Sequence, residues 1–334
     1  MNNYDNIDLE MEESLSVRVE EPIPRKKNTV YLWLRRIFTL DDELNEKHYY
    51  PIFIIFVSVL HISIHLLRYI SSRSKDPSLS RLLYDVGKRY LPCMRPASDD
   101  IRLRKVPCGL LYRNITCNYD DILRKKCFSF MYPHQLWRMI TSNLLHVDWS
   151  HLKNNVSLEL LYGIPLERKY GSIRIVIIYW LCTLSASLAF TMLRRIAIGI
   201  GASGAVYGLQ FFFIMERLMA IKTNTDQRRR LFIVIQLLLL AVVPKRIAIF
   251  TIGYRKVSIG HAAHFGGGLM GFLLGIGMFG CPWPWNNEHC ISQRICRRLT
   301  IVFVFLYFLM TVTIFFLRDA PPVKDILYRF HWLK

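Results

Sequence analysis

No cleavable export signal opens the chain: residues 1–21 hold Asp5, Asp8, Glu10, Glu12, Glu13, Glu20 and Glu21 against the single base Arg18. A secretory signal needs a positive start followed by an apolar run, and a mitochondrial transit peptide is rich in Arg and poor in acid, so neither fits. The first spanning helix is therefore expected to act as the targeting signal. The HExxH pattern of zinc hydrolases is also missing, and no carboxylate completes an evident ligand set, so no metal site is expected. Paired carboxylates facing a pore and inverted repeats, the marks of an ion path or a transporter, are not found either.

Apolar residues are abundant. They make up 52% of the 334 residues, the mean hydropathy is +0.22, and they fall in long blocks rather than at amphipathic spacing, which is a membrane signature. The net charge of +19 raises the question of nucleic acid. The bases, however, sit at the ends of apolar blocks and in loops, where they mark membrane boundaries rather than one soluble face. A lipid bilayer is the expected partner, and no nucleic acid is.

A spanning helix needs roughly 20 mostly apolar residues. Blocks that qualify run from about Pro51 to Ile70, Trp149 to Glu167, Ile173 to Leu193, Ser203 to Met219, Leu231 to Val243, Val257 to Phe279 and Leu299 to Leu317. The expected fold is an all-α polytopic membrane bundle with seven transmembrane helices. Residues 1–49 read as an N-terminal tail with an interfacial helix or a basic linker near Tyr31 to Phe38, and 50–279 as a six-helix core that includes the long loop 71–135. Residues 280–318 then hold a connection and the seventh helix, and 319–334 a short C-terminal tail.

Arg168, Lys169, Arg174, Arg217, Lys222, Arg228 to Arg230, Arg294, Arg297 and Arg298 fall in one set of connections and outnumber the bases of the other short loops. The positive-inside rule thus favours a cytosolic N-terminus and an outside position for loop 71–135. That loop carries Cys93, Cys108, Cys117 and Cys127, which allow three pairings and would need an oxidising compartment to form them. Asn114-Ile115-Thr116 in the same loop is a glycosylation sequon, which only a secretory compartment uses.

Gly201-Ala202-Ser203-Gly204 stands where an outside loop enters the fourth span. A serine at a helix N-terminus has exposed backbone amides beside it, and small neighbours leave room for a substrate backbone. Such clusters also serve plain helix packing. The sixth span supplies His264, followed by Gly266, Gly267 and Gly268, and an ionisable residue inside a span is a functional candidate. Ala263, Gly267, Gly271 and Gly275 repeat every four residues, as Gly204 and Gly208 do on the fourth span, so the two helices can approach closely. His151 and Asn155, four apart on one helical face, can both donate to an oxyanion; they can equally be satisfied interior polar groups.

Taken together, Trp137-Arg138, the run His146, His151, Asn155 (HxxxxHxxxN), Gly163-xxx-Glu167-xxx-Gly171-Ser172-x-Arg174, Gly201-Ala202-Ser203-Gly204 and Ala263-His264 before Gly266 and Gly267 resemble the rhomboid family of intramembrane serine proteases in identity and order. The resemblance implies a rhomboid-like helical bundle with Ser203 as nucleophile, His264 as general base, and His151 and Asn155 with the Ser203 amide as oxyanion donors. It also implies that Tyr207 packs on the histidine, with His146, Gly201, Gly204, Trp137, Arg138 and Glu167 in supporting places. Six spans plus one after the histidine helix look like the secretase type of Golgi or plasma membrane. That type cuts single-span membrane proteins within or near their transmembrane helix, growth-factor-like precursors among them, without a cofactor. The alternative is a proteolytically inactive rhomboid-like protein that binds transmembrane clients and controls their trafficking. Glu159 departs from the family pattern, one turn below Asn155 on the same face and deep in the second span.

Overall fold

The computed structural model describes residues 49–95, short stretches between 103 and 129, and residues 134–193, 198–223, 226–238, 260–280 and 293–317. Helix α1 (Ile52–Arg73) is followed by α2 (Ser78–Gly87) and α3 (Leu91–Met94), then by the two-stranded antiparallel pair β1 (Lys105–Pro107) and β2 (Thr116–Asn118). Next come the single turn α4 (Arg138–Thr141), α5 (Trp149–Tyr170), α6 (Ser172–Leu193) and α7 (Ser203–Thr223). Residues 227–238 are helical and form α8, before α9 (His261–Phe279) and α10 (Gln293–Leu317). The chain is an all-α polytopic membrane protein.

Five of these helices, α1, α6, α7, α9 and α10, are long and apolar enough to cross a membrane. Helix α5 matches them in length but carries Lys153, Glu159, Glu167, Arg168 and Lys169, and it does not reach that hydropathy. The fifth expected span, 231–243, is helical through 238, and the residues beyond lie outside the described ones. The sixth starts at His261 after Gly260, not at Val257, and residues 251–259 are likewise outside the described ones. The count of seven thus rests on α5, whose two glutamates are buried in protein, and on α8.

The described residues of segment 71–135 include α2, α3, β1 and β2. Helix α1 continues to Arg73, about one turn beyond the end of its apolar block, and Cys93 forms a disulfide with Cys127, which selects one of the possible pairings. Cys117 lies in β2, while Cys108 and Asn114 are outside the described residues. Arg138, fully buried, ties this segment down by donating to the Gln135 side chain at 2.7 Å and to the Lys88 carbonyl at 2.9 Å. Burial holds its guanidinium at about 10, still charged near neutral pH. Arg95 donates to the carbonyl of Phe315 at 2.8 Å, so the same segment also caps the end of α10.

Helices α6 and α7 stand at the centre, where Tyr162, Leu166, Tyr179, Cys182, Leu209 and Phe212 form the core. Helices α1 and α10 turn Phe56, Val59, Phe303 and Phe305 outward, as a lipid-facing surface should. The tightest contact is that of α7 with α9. A Cβ on Gly267 would overlap the Gly204 carbonyl, and one on Gly271 the Gly208 carbonyl. Gly267→Ala should therefore cost about 1–3 kcal/mol through overpacking. Gly260→Ala, where the nearest atom is 3.8 Å away, should stay within about 0.5 kcal/mol of the parent. Thermal melting in detergent measures both, and equal melting points would contradict this packing.

Candidate functional site

Asp148 precedes α5 in extended conformation, and its carboxylate accepts the His151 amide at 2.8 Å, a side-chain cap that starts the helix at Trp149. The cap fixes where His151 points. One turn on, Asn155 is 2% exposed and lies on the same face. Gly201 reaches both residues: its φ is +118°, and a Cβ there would stand 2.6 Å from His151 Cε1 and 3.6 Å from Asn155 Nδ2. Only glycine meets both demands, the positive φ and the missing side chain. The Gly201 amide donates to the Ser142 carbonyl at 2.8 Å, which anchors the loop that leads into α7.

Ser203 is the first residue of α7, with amides of the opening turn beside it. Its Oγ is 2.9 Å from His264 Nε2. Tyr207, one turn below Ser203, stacks on the His264 ring with centroids 4.1 Å apart and planes 10° from parallel. Asn155 Nδ2 and His151 Nδ1 have no hydrogen-bond partner among the described residues. A serine hydroxyl on an imidazole, next to buried donors held back from other partners, is an arrangement that can attack a carbonyl and receive the resulting oxyanion.

The remaining sequence candidates lie around this centre. His146 is fully buried, its ring 5.3 Å from that of His151, and its carbonyl accepts from Arg68 at 2.9 Å. Glu167 does not touch the serine. Its two oxygens accept the amides of Phe53 and Ile54 at 2.8 Å each, which caps the free N-terminus of α1. Gly204 lies under Ala186 and beside Ala263, while Trp137, half-buried, leads into α4 ahead of Arg138. Among the described residues no group of three His, Cys, Asp or Glu could hold a metal ion.

Sequence reasoning passed over several buried polar residues. Ser58, His61, His65 and Arg68 recur every three to four residues along α1, inside what reads as a plain apolar span. The rule that polar residues within spans face the bundle interior would have found them. Arg89 exchanges backbone hydrogen bonds of 3.0 Å with Gly199, in the loop before Ser203, and its side chain donates to Ser187 Oγ at 2.8 Å. No periodicity announces that bridge. Glu159 accepts from Ser58 Oγ at 2.8 Å and stands 3.3 Å from His61 Nδ1, so it is neither alone nor facing lipid.

A helical membrane protein with a serine–histidine pair at the mouth of two close-packed helices is the class that fold and site define. Residues 133–281 match the model of the rhomboid domain. The chain is 28% identical to "RHOMBOID-like protein 2" of Arabidopsis thaliana over 189 residues, 55% of each chain. It is 27% identical to "Rhomboid-related protein 2" of Mus musculus over 154 residues, 44% of this chain and 49% of the relative. A shorter stretch of 75 residues is 40% identical to "Rhomboid-related protein 3" of Homo sapiens, 22% of this chain and 19% of the relative. The chain thus spans about half the length, or less, of the curated relatives it matches. Its likeness to the rhomboid family is carried by residues 133–281.

Gly201→Ala should lower stability by about 1–2 kcal/mol, from the forced positive φ together with the clash on His151. Thermal melting checks this, and an unchanged melting point would contradict the placement of the loop.

Proposed function

We propose that the chain is an intramembrane serine endopeptidase that hydrolyses a peptide bond in or near the transmembrane helix of single-span membrane proteins. The observation that carries the reading is the 2.9 Å contact between Ser203 Oγ and His264 Nε2. Ser203 Oγ adds to the scissile carbonyl as His264 takes its proton. His264 then gives that proton to the leaving amine, and water releases the acyl group by the same two transfers in reverse. His151, Asn155 and the Ser203 amide receive the oxyanion. The Tyr207 stack supports the imidazole orientation that a third, carboxylate member would otherwise supply.

The loop before Ser203 is joined through the Arg89–Gly199 bridge to the segment that holds Cys93, and the Cys93–Cys127 disulfide favours an oxidising exterior for that segment. This supports a lumenal or extracellular active site, a cytosolic N-terminus and residence in secretory membranes. A peptide bond in an intact helix has its carbonyl hydrogen-bonded and its backbone shielded, so a substrate segment must unwind before Ser203 can reach it. Substrates with a small residue at the cut and helix-weakening neighbours fit best.

Reaction with a fluorophosphonate probe tests the reading. The full-length protein should be labelled, and Ser203→Ala and His264→Ala should each abolish labelling and cleavage while the fold stays intact. Folded protein that takes up no probe would refute the proposal and favour a client-binding rhomboid-like protein. Asn155→Ala should retain labelling but lose about 10² to 10³ in turnover. An unchanged rate would mean that Asn155 is structural.

A further inference from the structure

An oxyanion donor has to be held by something other than its own hydrogen bonds, because its N–H must stay available for substrate. Asn155 Nδ2 meets that condition, so its orientation must come from what packs behind it. Behind Asn155, one turn along the same face of α5, is Glu159, with no exposed surface. Its Oε2 accepts from Ser58 Oγ at 2.8 Å and lies 3.3 Å from His61 Nδ1, both on α1. The other ring nitrogen, His61 Nε2, is 3.1 Å from Asn143 Oδ1. Asn143 in turn donates to Thr183 Oγ1 at 3.1 Å and accepts from Tyr179 OH at 3.0 Å.

This chain of contacts ends at the site by two routes. Asn143 follows Ser142, whose carbonyl holds the Gly201 amide at 2.8 Å. His61 meets the His146 ring edge-to-face at 5.2 Å, and His146 meets His151 in the same way at 5.3 Å. Asn143 Oδ1 is an acceptor, so the His61 Nε2 that meets it carries hydrogen, and the other ring nitrogen faces the Glu159 carboxyl group.

We propose that Glu159 and His61 are positioning residues for the oxyanion side of the site, acting through Asn143 on the Gly201 loop and through His146 on His151. The proposal rests on the protease reading. Neither residue touches substrate. Together they tie α1, α5, α6 and the turn before His146 at the level of the donors.

The test uses the full-length enzyme in liposomes with a transmembrane substrate, with turnover expressed per site labelled to completion by fluorophosphonate. Glu159→Ala and His61→Ala should each lower kcat about tenfold or more with KM within about twofold, because misplaced donors weaken the transition state and not the encounter. Glu159→Gln, whose amide can donate to His61 Nδ1 and whose carbonyl can accept from Ser58, should stay within about threefold of the parent. Combining Glu159→Ala with Asn155→Ala should cost less than the product of the two separate losses. Full kcat per labelled site in both alanine variants would overturn the proposal. So would a glutamine variant as slow as the alanine one, or losses that multiply in full. A parent enzyme that takes up no probe refutes the protease reading, and this inference falls with it, whereas labelled variants with full turnover refute this inference alone.

Discussion

Gly204 and Gly208 on α7 face Gly267 and Gly271 on α9 with no side chain between them, and this direct backbone contact sets the distances in the site. In lipid the hydrophobic effect gives little attraction between helices, so association rests on close packing and on polar contacts. Where two backbones touch, no rotamer can relax to absorb a shift. Ser203 sits one residue ahead of Gly204 and His264 three ahead of Gly267, so the glycine register carries hydroxyl and imidazole to 2.9 Å. Helix α10 reinforces the contact from outside, since Ser185 Oγ donates to the Gly266 carbonyl at 2.6 Å and Tyr307 OH donates to the Ser185 carbonyl at 3.3 Å.

Close packing alone does not explain the polar interior. Each buried donor or acceptor in a bundle surrounded by hydrocarbon must be matched inside the protein, because no solvent will do it. Helix α5 meets this with two carboxylates at two levels. Glu167 takes the free amides at the start of α1, and Glu159 takes the hydroxyl and imidazole two turns further along that helix. At the other end of α7, Glu216 is matched by Lys169 at 3.1 Å and by its neighbour Arg217. The acids of the core thus join helices, and the donors near Ser203 are left without partners.

Much of the centre was legible in the sequence, because its signals are local. Small residues at spacing four imply close helices whatever surrounds them, and a histidine inside such a stripe must meet whatever the facing helix carries. Ser203, His264 and Tyr207 lie together for that reason. Glu159 and the polar stripe of α1 were read less well. Their meaning depends on partners about a hundred residues away in the chain, and a carboxylate in a span looks isolated until the helix that covers it is known. The Arg89 to Gly199 bridge and the choice of Cys127 as partner of Cys93 were out of reach for the same reason. Both are set by how the folded loop lies on the bundle, and no short-range pattern encodes that.

The hydropathy of α5 shows the same point as an energy argument. A helix with five charged side chains would be costly against hydrocarbon, where each ion at the bilayer centre costs about 2.5–3.5 kcal/mol even on insertion scales. Helix α5 avoids this cost by packing against α1, α6 and α7, with its acids matched by amides, a hydroxyl and an imidazole. Hydropathy measures how well a helix tolerates lipid, so it recognises the outer helices α1 and α10 and underrates the inner one. The least apolar of the long helices is the one that holds His151 and Asn155. Its polarity follows from its role, because a helix that presents donors to a buried oxyanion must itself be kept away from lipid by its neighbours.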